Sequence, residues 1–96
     1  EVMGVNTKQH LARAERLLQH RLRDKFMTQG VTLIDPKTVY FSCDTEIGKD
    51  VVIYPNVFIG EGVKIDDGVV IKFSCYLEGC RIGKGAEVAS FLENKR

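Results

Sequence analysis

The sequence predicts a mainly β chain: one long N-terminal α-helix, then a parallel β-helix of hexapeptide repeats about three coils long. Two ladders and a stripe carry this reading. Ile47, Ile53, Ile59, Ile65, Ile71 and Leu77 recur at six-residue steps. Two places before each stands a small or β-branched residue, namely Thr45, Val51, Val57, Val63, Val69 and Cys75. Upstream, Leu11, Ala14, Leu18, Leu22 and Phe26 recur at steps of three and four, the spacing of one helix face.

The six-residue step has a specific physical meaning. On an extended strand, a residue and the one two places before it share a face. The same pair then returns after a turn, always in the same orientation. Three such strands with three corners make a triangular coil of about eighteen residues. Stacked coils put the aliphatic ladder inside. Lys49, Asp50, Glu61, Lys64, Asp66 and Lys84 fall between the apolar rows, where solvated corners belong. Gly48, Gly60 and Gly83 follow the main apolar position, as expected where a corner needs positive φ or close approach. After Leu77 the step shortens to five, and the pattern resumes as Cys80/Ile82 and Ala86/Val88. A β-sandwich fits less well, because its strands vary in length and loop spacing.

The elements follow in order. Residues 1–5 are short and apolar enough to be the tail of a strand. Asn6 is placed to cap the helix that follows, with Gln9 three residues on completing a capping-box pattern. The linker helix is assigned to residues 7–30, with Leu17 and Met27 widening its stripe and Gly30 as the stop. At ~1.5 Å per residue it spans about 35 Å and needs a surface for its apolar face. Residues 31–38 are a connector: a β-branched run, then Asp35-Pro36 as a turn, since proline disfavours helix at its predecessor. The β-helix takes residues 39–92, with Phe41 expected to plug the first coil. Residues 93–96 are polar and expected to fray.

Bulk properties exclude several classes. A net charge of +1 gives no general electrostatic case for nucleic acid. The helix does carry Lys8, Arg13, Arg16, Arg21, Arg23 and Lys25 against Glu15 and Asp24. A basic helix can bind polyanions, but no aromatic residue interleaves these positions, and a solvated face is the simpler reading. No eighteen-residue apolar stretch suits a membrane span. Cys43, Cys75 and Cys80 form no C-x-x-C pair, and the repeats contain no histidine to complete a metal site. The three are expected as thiols of a reducing compartment, Cys75 and Cys80 packing as small apolar groups. With no signal-peptide pattern at the start, the expected location is cytoplasmic. Three coils are near the lower limit for a stacked solenoid with open ends, so self-association is expected.

Certain stretches are more specific than the ladder. They are Gly4-Val5-Asn6, the basic helix, Gly30-Val31-Thr32-Leu33-Ile34-Asp35-Pro36, Glu46-Ile47-Gly48, Tyr54-Pro55-Asn56-Val57, and Leu77-Glu78-Gly79-Cys80 with Ile82-Gly83-Lys84-Gly85-Ala86. Together they resemble the middle of the bacterial bifunctional N-acetylglucosamine-1-phosphate uridyltransferase/glucosamine-1-phosphate acetyltransferase family. The resemblance covers residues 1 to about 88, a fraction of a full family member. It implies a left-handed coil, against the usual right-handed crossover rule, and a homotrimer. Residues 1–6 would then be the end of a nucleotidyltransferase domain. The family uses Mg²⁺ and acetyl-CoA, and in it the asparagine at Asn6 helps hold the metal; helix capping is the structural alternative for that residue.

The family's glycine-rich phosphate loop and distant aspartate have no counterpart here. Its G-P-F-A-R-L-R-P-G stretch is replaced by Ala89-Ser90-Phe91-Leu92-Glu93-Asn94-Lys95-Arg96. Hexapeptide acyltransferases commonly place a histidine on the coils as general base, whereas His10 and His20 lie on the helix. No catalytic or cofactor-binding residue is therefore assigned, and no cofactor is expected for this chain alone. The expected function is that of a truncated relative or fragment of the enzyme making UDP-N-acetylglucosamine, serving as a non-catalytic trimerising scaffold. The alternative is a stand-alone acyltransferase or nucleotidyltransferase with a site between subunits. A longer homologue is a possible further partner, through matching coils.

Overall fold

The computed structural model describes residues 7–89. Helix α1 spans Lys8–Thr28. Ten short strands follow among the described residues: β1 (Thr32–Leu33), β2 (Val39–Tyr40), β3 (Glu46–Ile47), β4 (Val52–Ile53), β5 (Val57–Ile59), β6 (Lys64–Ile65), β7 (Val70–Ile71), β8 (Tyr76–Leu77), β9 (Arg81–Ile82) and β10 (Glu87–Val88). They form three all-parallel sheets in the orders β1-β4-β7-β10, β2-β5-β8 and β3-β6-β9. Each strand pairs with the one three places later, so the chain winds as a three-sided column, the left-handed parallel β-helix architecture.

The ladder is the interior. Val51, Ile53, Val57, Ile59, Val63, Ile65, Val69 and Ile71 are all buried. Fully burying each such side chain contributes roughly 1.5–3 kcal/mol. Thr45 is the polar member, and its hydroxyl accepts from the Ser42 N–H at 3.1 Å.

β1 pairs with β4 at twenty residues, and from β2 onward the register is eighteen until the shortened step. Glu46 faces Lys64 and Val52 faces Val70, but Lys64 faces Arg81 and Val70 faces Glu87, seventeen apart. The missing residue is absorbed at the corner after β8, where Gly79 donates to the Glu61 carbonyl at 2.8 Å. Alignment of the interior rows survives.

Three details differ from the sequence reading, each for a physical reason. The first is where the column starts. Thr32 and Leu33 pair with Val52 and Ile53, so the supposed connector over 31–38 already supplies one side of the first coil. Asp35-Pro36 is its first corner, closed by a 3₁₀ turn over Pro36–Thr38.

The second is the helix cap. Thr7, not Asn6, is the N-cap, and its side chain accepts from the His10 N–H at 3.2 Å. Asn6 lies outside the described residues, as do residues 1–5 and 90–96.

The third is the glycines. Gly48, Gly60 and Gly83 do not carry positive φ; Gly62, Gly68, Gly79 and Gly85 do, together with Asp50, Asn56 and Ser74. Asp50, Gly68 and Gly85 form one column of left-handed corner residues, one per coil. Gly48 serves close approach instead: a Cβ there would meet the Asp67 backbone nitrogen at 2.8 Å.

Helix α1 closes the top of the column. Leu22 and Phe26 are buried against it, and the Phe26 and Phe41 rings meet at 4.8 Å between centroids. The predicted stripe is used only in this half. Leu18 is half-buried, while Ala14 is exposed and Leu11 is 61% exposed.

Candidate functional site

The column presents three outer faces of different chemistry, because outward residues alternate with the buried ladder along every strand. The face of β3-β6-β9 carries Glu46, Lys64 and Arg81 in register. Glu46 and Lys64 approach to 3.5 Å, and Arg81 reaches Asp66 at 3.3 Å. The first pair is exposed and the second joins exposed Arg81 to half-buried Asp66; surface pairs of this kind contribute about 0–1 kcal/mol each. A groove along this face is lined by Ile47, Gly48, Lys64, Asp66, Asp67 and Lys84 among others.

The face of β1-β4-β7-β10 is mixed. Val52 and Val70 are half-buried on it, and Lys72 lies 5.0 Å from the centre of the Tyr54 ring and 3.6 Å from Glu87.

The face of β2-β5-β8 is aromatic. Tyr40, Phe58 and Tyr76 stand opposite one another in register. Their rings stack at 6.1 and 5.5 Å. Arg23 of α1 caps the upper end, 5.1 Å from the Tyr40 ring centre. At the lower end the Tyr76 hydroxyl donates to the Glu78 carboxylate at 2.8 Å, which together with the Glu61 charge holds the phenol above its ordinary 10.0. The six-residue reading attended to the inward rows and missed this ladder. The signal was present, since Tyr40, Phe58 and Tyr76 are spaced at eighteen residues.

Side chains also staple successive coils at their corners, always across eighteen residues. The Asn56 N–H donates to the Thr38 hydroxyl at 2.9 Å, the Gly62 N–H to the Asp44 carboxylate at 3.0 Å, and the Lys49 N–H to the Asp67 carboxylate at 2.9 Å. Asp44 also accepts from the Ser42 hydroxyl at 2.8 Å. That bond first, and the Gly62 N–H second, lower its carboxyl below the ordinary 3.8.

A sequence model of the GMPPB C-terminal domain matches residues 34–92, more than half of the chain. The chain belongs to the GMPPB C-terminal domain family. Its curated relatives include the bifunctional protein GlmU of Paramagnetospirillum magneticum, 50% identical over 91 residues, which are 95% of this chain and 20% of that protein. GlmU of Gluconobacter oxydans is 54% identical over 86 residues, 90% of this chain and 19% of the relative. GlmU of Rhodopseudomonas palustris strain TIE-1 is 55% identical over 83 residues, 86% of this chain and 18% of the relative. The resemblance read from the G-V-N, helix and G-V-T-L-I-D-P series is thus matched by pairwise identity. This member of the GMPPB C-terminal domain family spans about a fifth of the length of the GlmU proteins it matches.

Divalent-cation chemistry finds no fit in the residues the structure describes. Mg²⁺ needs several converging oxygens, and no three His, Cys, Asp or Glu side chains cluster suitably among the described residues. Both histidines are engaged on the exposed helix. His10 Nδ1 lies 2.8 Å from the Thr7 hydroxyl, and His20 Nε2 lies 3.4 Å from Asp24. No disulfide joins the cysteines: Cys43 is exposed, Cys80 half-buried, and Cys75 buried with its sulfur 3.9 Å from the Phe73 carbonyl. No helix among the described residues is long and apolar enough to cross a membrane.

Proposed function

We propose that this chain acts as an assembly module of the GlmU type: a capped prism that brings three copies together and carries no chemistry of its own. One observation supports this most strongly. The interior rows from Val39 to Ile82 are buried between stacked coils, while Tyr40, Phe58 and Tyr76 on one face, Leu11 and Leu17 on the free half of α1, and Met27, Ile34 and Phe73 elsewhere are exposed apolar groups. A rigid column with apolar groups left exposed on its outside is what an assembly device requires.

In this reading, uridyl transfer and acetyl transfer on the way to UDP-N-acetylglucosamine belong to longer GlmU proteins, along with Mg²⁺ and acetyl-CoA. The chain works in the reducing cytoplasm, consistent with the exposed Cys43 thiol. A longer homologue with matching coils is a second partner it could join.

Assays of the purified chain test this. The expected result is no uridyl transfer from UTP, no acetyl-CoA consumption, and no heat on titration with coenzyme A or UDP-N-acetylglucosamine. Turnover above blank, or saturable binding of either ligand, would favour the other reading, an acyltransferase with a site between subunits. The groove lined by Lys64, Asp66, Asp67 and Lys84 is the observation on that side, since it sets charges of both signs over an apolar floor.

A further inference from the structure

The corner between β6 and β7 joins two residues that the fold needs for separate reasons. Gly68 takes φ 72°, a left-handed conformation that a side chain disfavours. Asp67 precedes it, and its carboxylate accepts from the Lys49 N–H, one coil above, at 2.9 Å. Side by side the two make an Asp-Gly dipeptide, and no other Asp or Asn in the sequence precedes a glycine. The equivalent corners of the adjoining coils carry Lys49-Asp50 and Lys84-Gly85.

Such a dipeptide has a reaction open to it without an enzyme. The Gly68 nitrogen attacks the side-chain carbonyl carbon of protonated Asp67, and a new C–N bond forms. The amide proton and the carboxyl hydroxyl leave together as water. The five-membered imide then takes up water, and one of its two C–N bonds breaks. Breaking the new bond restores aspartate. Breaking the old one leaves isoaspartate, with the main chain rerouted through the former side chain. Glycine favours the attack because no Cβ shields its nitrogen.

The closed column holds the reacting groups in other engagements. The Asp67–Gly68 peptide is pinned on both sides: its N–H donates to the Lys49 carbonyl at 3.0 Å, and its carbonyl accepts from the Gly85 N–H at 2.9 Å. Lys49 therefore engages both the attacking nitrogen and the carboxylate it would attack. Attack requires both bonds to be given up at once. The product has no room either. Gly48 lies so close that a Cβ on it would meet the Asp67 backbone nitrogen at 2.8 Å and the Asp66 carbonyl carbon at 3.1 Å. Val69, next along the chain, is buried in the interior row, and its carbonyl accepts from the Val52 N–H at 3.0 Å. An added main-chain atom at residue 67 displaces Val69 from that row or breaks the pairing.

We propose that Asp67 is a latent modification site: isoaspartate forms there when the middle coil opens, the closed column suppresses it, and the modified corner no longer packs as before. The site goes beyond the assembly reading and is independent of it, because the whole clamp comes from one chain. Its effect is a covalent record of opening.

Peptide mapping of the full chain tests this. The folded chain and the chain unfolded in guanidinium chloride are incubated at the same pH and temperature, then cut with trypsin. Cleavage after Lys64 and Lys72 isolates residues 65–72, with Asp66 as an internal control. Isomerisation leaves the mass unchanged, so the product is separated by chromatography and located by electron-transfer fragmentation. Isoaspartate at residue 67 is expected in the unfolded chain, and at least about tenfold more slowly in the folded one, where local opening must come first. Equal rates would overturn the protection by the fold. An unfolded chain without isoaspartate at residue 67 would overturn the site itself.

A second measurement tests the packing claim. Chains carrying the isomer are purified, refolded by dilution and unfolded again in denaturant. A lower midpoint than that of the unmodified chain is expected. An identical midpoint contradicts the claim that the corner has no room for the product.

Discussion

Gln19 and Phe41 exchange two hydrogen bonds across twenty-two residues of sequence: the Gln19 amide donates to the Phe41 carbonyl at 2.8 Å and accepts from the Phe41 N–H at 2.9 Å. The side-chain amide thus takes the place of a neighbouring strand. Phe41 directly follows β2, the top strand of its sheet, which would otherwise offer unpaired backbone groups to the surroundings. Arg23 does the same for the Val39 carbonyl at 2.9 Å. Helix α1 therefore closes the column by polar substitution at its edge as well as by the Phe26–Phe41 contact.

Removing that substitution should be costly. Gln19→Leu leaves a buried N–H and a buried carbonyl without partners, at about 1–3 kcal/mol for each. The expected loss is about 2–4 kcal/mol in urea unfolding. Glu15→Ala, which removes only the acceptor of the Gln19–Glu15 bond at the exposed side, should cost under about 1 kcal/mol.

The interior should respond to volume and charge very differently from the faces. Ile71→Ala is expected to cost about 2–5 kcal/mol. Ile59→Asp places a lone carboxylate in the sealed column, a burden of several kcal/mol, and should abolish the cooperative transition. Lys64→Ala, on the charged face, should lower the unfolding free energy by less than about 1 kcal/mol.

The corner columns predict opposite signs for two neighbouring changes. Gly68 has φ 72°, so Gly68→Ala should destabilise by about 1–2 kcal/mol. Ser74 has φ 60° with a side chain, and Ser74→Gly should be neutral or stabilising by up to about 1 kcal/mol. Thermal melts of both variants check the pair. A stabilised Gly68→Ala protein would contradict the backbone reading.

Asp44 gives an acid dependence of known sign. Its folded carboxyl lies below the ordinary 3.8. Its contribution is therefore fully present above that value and is lost as pH falls through the lower, folded value. Asp44→Asn should flatten the stability profile below about pH 4 and leave its shape unchanged near neutrality. Denaturant midpoints measured across that range provide the check.

Much of this was legible in the sequence, for a physical reason. A three-sided column repeats one local environment, so Val51 to Ile71 announce the interior by spacing alone. Three features were not legible. Leu11 and Leu18 have the same periodicity as Leu22 and Phe26, because a stripe does not say how far the supporting surface extends. Gln19 reads as a surface residue, because pairing to a strand edge is a tertiary event. Thr7 and Asn6 are both good caps, and sequence cannot rank two adjacent oxygen-bearing side chains. The aromatic ladder was visible but silent, since an eighteen-residue spacing outside the column carries no requirement from the fold.

The most direct test of the assembly account is the solution mass of the chain by light scattering at micromolar concentration. The account predicts three times the 10.8 kDa chain mass. A particle of one chain mass that keeps its helical and β circular dichroism would contradict it.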